Sequence, residues 1–145
     1  MKFKENISLA HFSSFKIGGP ARYFFETVNP EEVVQAIGEW KNSAGAEFQK
    51  RLFILGGGTN LLISDSGFDG FVLQPKILFL ERDGNKISAG AGALMADLLK
   101  FTVRENLSGL EWAGGLPGTL GGAIRGNAGW FGGETKAAIE SVASF

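Results

Sequence analysis

Arg51-Leu52-Phe53-Ile54-Leu55-Gly56-Gly57-Gly58-Thr59-Asn60-Leu61-Leu62 is the stretch on which the reading of this chain turns. Residues 51–55 form a short apolar run that stops at three consecutive glycines, which predicts a buried strand feeding a tight loop. Glycine adopts positive φ without steric cost, so three in a row let several backbone N–H groups turn toward one point. Such a nest holds an anion, typically a phosphate, and Thr59 and Asn60 add side-chain donors. A strand-to-strand turn with no ligand accounts for the same residues equally well. The loop is no P-loop, because no lysine follows the glycines. It is no Rossmann fingerprint either, because Gly56-x-Gly58 has Leu61 where the third glycine belongs. Gly90-Ala91-Gly92 fails in the same way at Met95, so a standard dinucleotide-binding βαβ unit is disfavoured.

Working outward, residues 21–28 are aromatic and β-branched and predict a strand. Asn29-Pro30-Glu31-Glu32 then opens a helix, with Asn29 as N-cap, Pro30 at the first helical position and Glu32 placed for a capping box. Val33, Val34, Ile37 and Trp40 supply its apolar face, and Asn42-Ser43-Ala44-Gly45 ends it. A turn at Asp65-Ser66-Gly67 precedes the apolar Gly70-Phe71-Val72-Leu73. Residues 76–80 and 86–89 flank Asp83-Gly84-Asn85 as a hairpin. Leu94, Leu98 and Phe101, with Met95, Leu99 and Thr102 beside them, predict a helix over residues 93–106. The last residues, 139–145, alternate apolar with small or polar side chains and read as a strand entering further structure. The chain is therefore expected to be a fragment.

The 145 residues carry 14 basic and 15 acidic side chains, a net charge of −1, so no field favours nucleic acid or an anionic membrane. Glycine is the outlier, at 22 residues about twice the usual ~7% share. Cysteine is absent, which excludes disulfides, thiolate nucleophiles and Cys-ligated metal; a single histidine, His11, leaves little for a His-based metal site or triad. Met1-Lys2-Phe3-Lys4-Glu5-Asn6 carries no apolar leader core, and no run approaches the ~18 apolar residues of a membrane span. A soluble, cytoplasmic protein is the expectation.

A second glycine cluster runs Gly114-Gly115-Leu116-Pro117-Gly118-Thr119-Leu120-Gly121-Gly122-Ala123-Ile124, extended by Gly126-Asn127-Ala128-Gly129. Pro117 suits the first turn of a helix. Free N–H groups at such a start attract phosphate, and Gly121 and Gly122 permit close packing against a flat ring or another element. Two anion-shaped loops separated by a strand–helix unit suggest a diphosphate held between two subdomains.

Ser13-Ser14-Phe15-Lys16-Ile17-Gly18-Gly19-Pro20-Ala21, the Leu55–Leu62 stretch, the Gly115–Ala123 stretch and Asn127-Ala128-Gly129 occur in that order. In this the chain resembles the N-terminal part of the UDP-N-acetylenolpyruvoylglucosamine reductases (UDP-N-acetylmuramate dehydrogenases), from about Asn6 onward. The resemblance implies an α+β fold, a p-cresol methylhydroxylase-type FAD-binding domain of two α/β subdomains (about residues 1–73 and 74–145), with the C-terminal substrate domain absent. It implies FAD, held noncovalently because no cysteine or nearby histidine could tether it, and NADPH as reductant. The reaction implied is reduction of the enolpyruvyl group of a UDP-sugar to UDP-N-acetylmuramate, a cell-wall precursor. Gly56, Gly57, Gly58, Thr59 and Asn60 would carry the FAD pyrophosphate; Gly115, Pro117, Gly118, Thr119, Gly121, Gly122, Asn127 and Gly129 would wrap the flavin and its diphosphate. Thr59 stands where serine is commoner in the family, which keeps the hydroxyl.

The family's catalytic serine, arginine and glutamate lie beyond the matched segment, so no catalytic residue is assigned here, and Glu134, Arg125 and Ser141 are not promoted to those roles. Arg125, Lys16 and Arg22 read as solvated cations, with neutralisation of a phosphate of FAD or of the UDP moiety as the alternative for each. Trp112 and Trp130 flank the second loop and read as core, like Phe24, Phe25, Phe53 and Phe101, with stacking on an aromatic ring of a ligand as the alternative for either tryptophan. Apolar surface normally covered by a substrate domain would leave the chain prone to self-association. Two other readings stay open: another FAD-dependent oxidoreductase of the same fold, and a non-enzymatic module.

Overall fold

In the computed structural model, which describes residues 1–43 and 51–144, strands and helices are interspersed in an α+β arrangement. The chain divides into two compact units, Met1–Lys76 and Ile77–Phe145.

The first unit holds β1 (Lys4–Ser8), β2 (Pro20–Thr27), α1 (Pro30–Ser43), β3 (Leu52–Ile54) and β4 (Phe68–Pro75). Its sheet has the order β1-β2-β4-β3; β1 runs antiparallel to β2, while β2 and β3 both run parallel to β4. β4 is interior, and its Phe71, Val72 and Leu73 are fully buried. Successive side chains point to opposite faces. Phe71 and Leu73 accordingly cluster with Ala36 and Trp40 of α1, while Val72 joins Leu9, Ala21, Phe24 and Leu55 on the other side. A strand covered on both faces needs an unbroken apolar run, which is what this segment supplies.

The start of α1 follows its sequence signals. Asn29 Oδ1 accepts the Glu32 N–H at 2.8 Å, and the Glu32 carboxylate reaches back to the Val28 N–H at 2.9 Å, one residue earlier than the usual partner of a capping box. The buried stripe is Val33, Ala36, Ile37 and Trp40, whereas Val34, expected inside, is 54% exposed. Residue 36 lies three and four positions from 33 and 40, so helical spacing favours it over 34. The stop expected at Asn42-Ser43-Ala44-Gly45 falls largely outside the described residues. β3 is shorter and more open than the buried strand expected: it is the edge of the sheet, and Phe53 and Ile54 are exposed while Leu55 is buried. Phe53 is thus a border residue resting on Phe68, their ring centroids 6.1 Å apart.

The second unit opens with a hairpin of β5 (Leu80–Asp83) and β6 (Lys86–Ala89), Asp83 pairing with Lys86. The turn is therefore Gly84-Asn85, with Gly84 at φ +58° as a type II′ turn requires at its first position. Residues 76–79, expected in the strand, lie outside it. Ile77 and Phe79 instead give their carbonyls to the N–H groups of Gly92 and Gly90. Next come α2 (Met95–Arg104) and α3 (Leu120–Gly126), then a small hairpin of β7 (Gly129–Trp130) and β8 (Gly133–Glu134). α2 is shorter than the 93–106 expected. Leu94 is its N-cap and half exposed, and the buried face is Met95, Leu98, Phe101 and Thr102. Met95, Leu98, Ala113, Leu120 and Ala123 form the core of this unit. A short 3₁₀ turn at Thr135–Ala138 follows, and no strand forms over residues 139–144; among the described residues nothing pairs with them to make a ladder. No helix among the described residues is long and apolar enough to cross a membrane.

Two substitutions probe this architecture. Phe24→Ala, at a side chain with no exposure, is expected to cost about 3–5 kcal/mol, and Asn29→Ala about 1 kcal/mol through loss of the cap. Urea unfolding followed by circular dichroism measures both.

Candidate functional site

Parallel strands that end together leave a crevice at their carboxyl ends where ligands commonly bind. In the first unit the Gly56–Asn60 loop leaves β3 at that edge. Its backbone is fastened on the carbonyl side. Gly56 O accepts from Gln74 Nε2 at 3.0 Å, and Gly58 O accepts from the Ser14 N–H at 3.1 Å. Among the described residues, the N–H groups of Gly56, Gly57, Gly58, Thr59 and Asn60 have no partner within the chain. Five consecutive free donors with all their bonding on the carbonyl side are the arrangement an anion nest needs.

Gly58 has φ +65°, and a Cβ there would lie 1.7 Å from the Phe12 carbonyl oxygen. The loop sits directly on the segment that follows the 3₁₀ turn Leu9–Phe12. That segment, Ser13 to Gly19, is held from the same side. Ser13 is 1% exposed, and its Oγ accepts the Phe15 N–H and donates to Leu61 O at 3.5 Å. The Gly19 N–H donates to Ser64 O at 2.8 Å. Two stretches distant in sequence thus form one platform.

In the second unit the geometry departs from expectation. α3 begins at Leu120, with Thr119 as its N-cap, so Pro117 stands two residues ahead of the cap and not in the first turn. The N–H groups at the start of α3 are engaged as well. Leu120 donates to Ala93 O, Gly121 to Ala91 O, and Gly122 to Thr119 Oγ1 at 3.3 Å. The start of α3 therefore offers no free donors at Leu120, Gly121 or Gly122. Within residues 114–122, the N–H groups with no partner among the described residues are those of Gly115, Gly118 and Thr119, just upstream, where Gly115 and Gly118 have φ +84° and +101°. Gly121 serves the close packing expected of it, since a Cβ would come within 2.9 Å of Ala91 O.

Asn127 occupies the left-handed position after α3, at φ +44°. Both ends of its amide are in use: Nδ2 donates to Glu134 at 2.7 Å and Oδ1 accepts the Lys136 N–H at 2.9 Å. It ties down the β7–β8 hairpin, which contains Gly129. Lys136 pairs with Glu134 at 2.7 Å, and Lys136 first, then Asn127, holds the Glu134 carboxyl below its ordinary range. Trp112 is half-buried, and Gly133 packs so closely on its indole that a Cβ would lie 2.3 Å from Cγ. Trp130 is half exposed and meets Phe131 edge-on, so it is not the core residue expected. Arg125 is exposed. Arg22 pairs with Asp69 at 3.0 Å across exposed surface.

Gln74 lies outside every motif quoted above, and Ser14 lies within one that gives it no role at this loop. Gln74 carried one signal: a polar residue on the face of Val72, two positions on, directly after the apolar run Phe71-Val72-Leu73. Ser14 acts through its backbone, which no sequence pattern reveals.

The FAD binding domain family matches residues 22–144. The chain is similar to UDP-N-acetylenolpyruvoylglucosamine reductase of Solibacter usitatus, 37% identical over 137 residues that make up 94% of this chain and 42% of that protein. It is also similar to the protein of the same name in Clostridium novyi, 38% identical over 142 residues, 97% of this chain and 45% of that protein. Among solved structures, UDP-N-acetylenolpyruvylglucosamine reductase of Thermus caldophilus matches with a TM-score of 0.73 and 31% identity, over 92% of this chain and 45% of that one. The chain spans less than half the length of these relatives.

Gly58→Ala and Gly115→Ala separate a clash from mild strain. The first puts a methyl into the Phe12 carbonyl and is expected to disorder residues 56–60. The second has open space around its Cβ and is expected to cost only about 1–2 kcal/mol for its left-handed φ. Amide NMR spectra of the two variants check this. Because the folded Glu134 has a lowered pKa, its contribution is present above the ordinary glutamate range and is lost as pH falls through the lowered value. The Lys136 amide resonance should therefore move only at a pH below that at which a free glutamate titrates.

Proposed function

Since this chain belongs to the FAD binding domain family, we propose that it is the FAD-holding part of a reductase acting on a UDP-N-acetylglucosamine enolpyruvate with NADPH as electron donor. The observation that carries this is the row of five free N–H groups over residues 56–60, fastened from behind by Gln74 and Ser14. A diphosphate needs dense hydrogen-bond donation, and oriented backbone amides supply it without a cation.

In this reading Gly56, Gly57, Gly58, Thr59 and Asn60 take the FAD pyrophosphate. Gly115, Pro117, Gly118, Thr119, Gly121, Gly122, Asn127 and Gly129 form the surface against the flavin and its diphosphate. The N–H groups of Gly115, Gly118 and Thr119 are the donors there. Gly121, Thr119 and Asn127 shape the segment, by close packing, capping and tethering respectively. FAD, when bound, supplies the ring that takes hydride from NADPH and delivers it to the enolpyruvyl double bond. The chain's own residues bind and orient; none of them is assigned a catalytic role. The cofactor is held noncovalently, and the protein works in the cytoplasm. Two subdomains, about residues 1–73 and 74–145, make up the binding part. Exposed apolar side chains, Phe131 at 83% among them, support self-association of the purified chain.

An absorbance spectrum of the purified chain, taken before and after incubation with FAD and desalting, tests the cofactor reading. A retained band at roughly 450 nm, a property of the flavin itself, is the expected result. A folded chain that leaves the column without that band would contradict it.

A further inference from the structure

Gln74 lies near the end of β4, 5% exposed, on the face where Val72 meets Leu55. A buried amide is costly unless hydrogen-bonded, and this one is only half satisfied. Nε2 donates to Gly56 O at 3.0 Å, while Oε1 is buried with no partner. Methionine or leucine would fill the same volume without that penalty. What the amide alone provides is a fixed Gly56 carbonyl.

In a trans peptide the carbonyl of one residue and the N–H of the next point in opposite directions, and no cis peptide occurs among the described residues. Drawing the Gly56 carbonyl onto Gln74 therefore turns the Gly57 N–H away from the core. The Ser14 N–H, bonded to Gly58 O, does the same for Thr59. A peptide between two glycines rotates more freely than any other, so the Gly56–Gly57 plane needs such a tether more than its neighbours do.

We propose that Gln74 is a positioning residue for the anion loop, setting the Gly56–Gly57 peptide so that the Gly57 N–H faces a bound diphosphate. This rests on the reading of residues 56–60 as the pyrophosphate cradle. The role is indirect: Gln74 is buried beneath the loop and acts on the ligand only through the backbone it holds.

Amide NMR of the chain, titrated first with inorganic pyrophosphate and then with FAD, tests it. In the unaltered chain the Gly57 and Thr59 amide resonances should shift together. The Gln74 side-chain amide should move with them, because hydrogen bonds in series polarise one another. In Gln74→Met, with the Phe24 and Val72 amides confirming the fold, the Gly57 response should vanish while Thr59 still responds. The FAD dissociation constant should rise about five- to tenfold, the scale of one hydrogen bond. A folded Gln74→Met chain that keeps the Gly57 response and binds FAD within about twofold of the original would overturn the proposal. So would a Gln74 side-chain amide that stays still while the loop amides of the unaltered chain shift, a result that needs no variant. If the unaltered chain responds to neither pyrophosphate nor FAD, the cofactor reading itself fails, and the positioning role falls with it.

Discussion

Two stretches of backbone touch where Gly58 meets Phe12, and no side chain can stand between them. A Cβ at residue 58 would lie 1.7 Å from the Phe12 carbonyl oxygen, well inside van der Waals contact. Everything at the carboxyl edge of the first sheet follows from that approach. The Ser14 N–H reaches Gly58 O only because the two chains are this close. Leu61 and Ile63 then fall onto the same core as Phe12 and Phe24, and the Phe12 and Phe24 rings lie 4.7 Å apart. The apolar packing beneath and the polar loop above are two sides of one contact.

That contact also bears on how a nearly neutral protein would hold the anion proposed for it. Residues 56–60 contain no ionisable side chain, and the favourable potential there comes from aligned N–H dipoles. Such dipoles are effective only when their directions are fixed. Rigidity is supplied from the carbonyl side, by one buried side chain and one backbone amide, so the loop's donors are left for something outside. The second unit works differently. Its helix start is closed by Ala91, Ala93 and Thr119, and its free donors lie in the glycine-rich approach to the helix.

Local signals were legible in the sequence wherever the physics was local. The Asn29 cap and the Gly84 turn depend on residues within a few positions of one another and match the sequence signals, with Glu32 accepting from the Val28 N–H instead of that of Asn29. The edge position of β3 did not show, because strand order is a long-range property and an apolar run looks alike in a centre strand or at a border. Val34 was read as buried and Ala36 passed over, since a small residue on a helix gives little hydrophobic signal even where close packing requires it. Pro117 was assigned to a helix that starts three residues later; proline fits a first turn, but Thr119 is the residue with a side chain that caps. Over residues 139–144 an alternating pattern promised a strand, and alternation without a neighbour to pair with makes none. Of the candidate site, the glycine loops were visible as motifs. The roles of Gln74 and Ser14 were not, because what makes them matter is the carbonyl each one reaches across the fold.

The parallel pairing of β2 with β4 has a consequence for how the protein is made. Arg22 and Asp69, at neighbouring positions of these strands, are 47 residues apart in sequence, and Ser13 and Leu61 are 48 apart. Contacts of that range close late, after most of the loop entropy has been given up. The 56–60 loop lies inside the segment that must be threaded into place before β4 can join β2. Its two tethers come from Gln74 of β4 and from Ser14 ahead of β2, so both reach the loop only when β2 and β4 are paired. Loop geometry and strand order are thus tied together: in the reading proposed above, the cradle is completed by the same pairing that completes the first sheet.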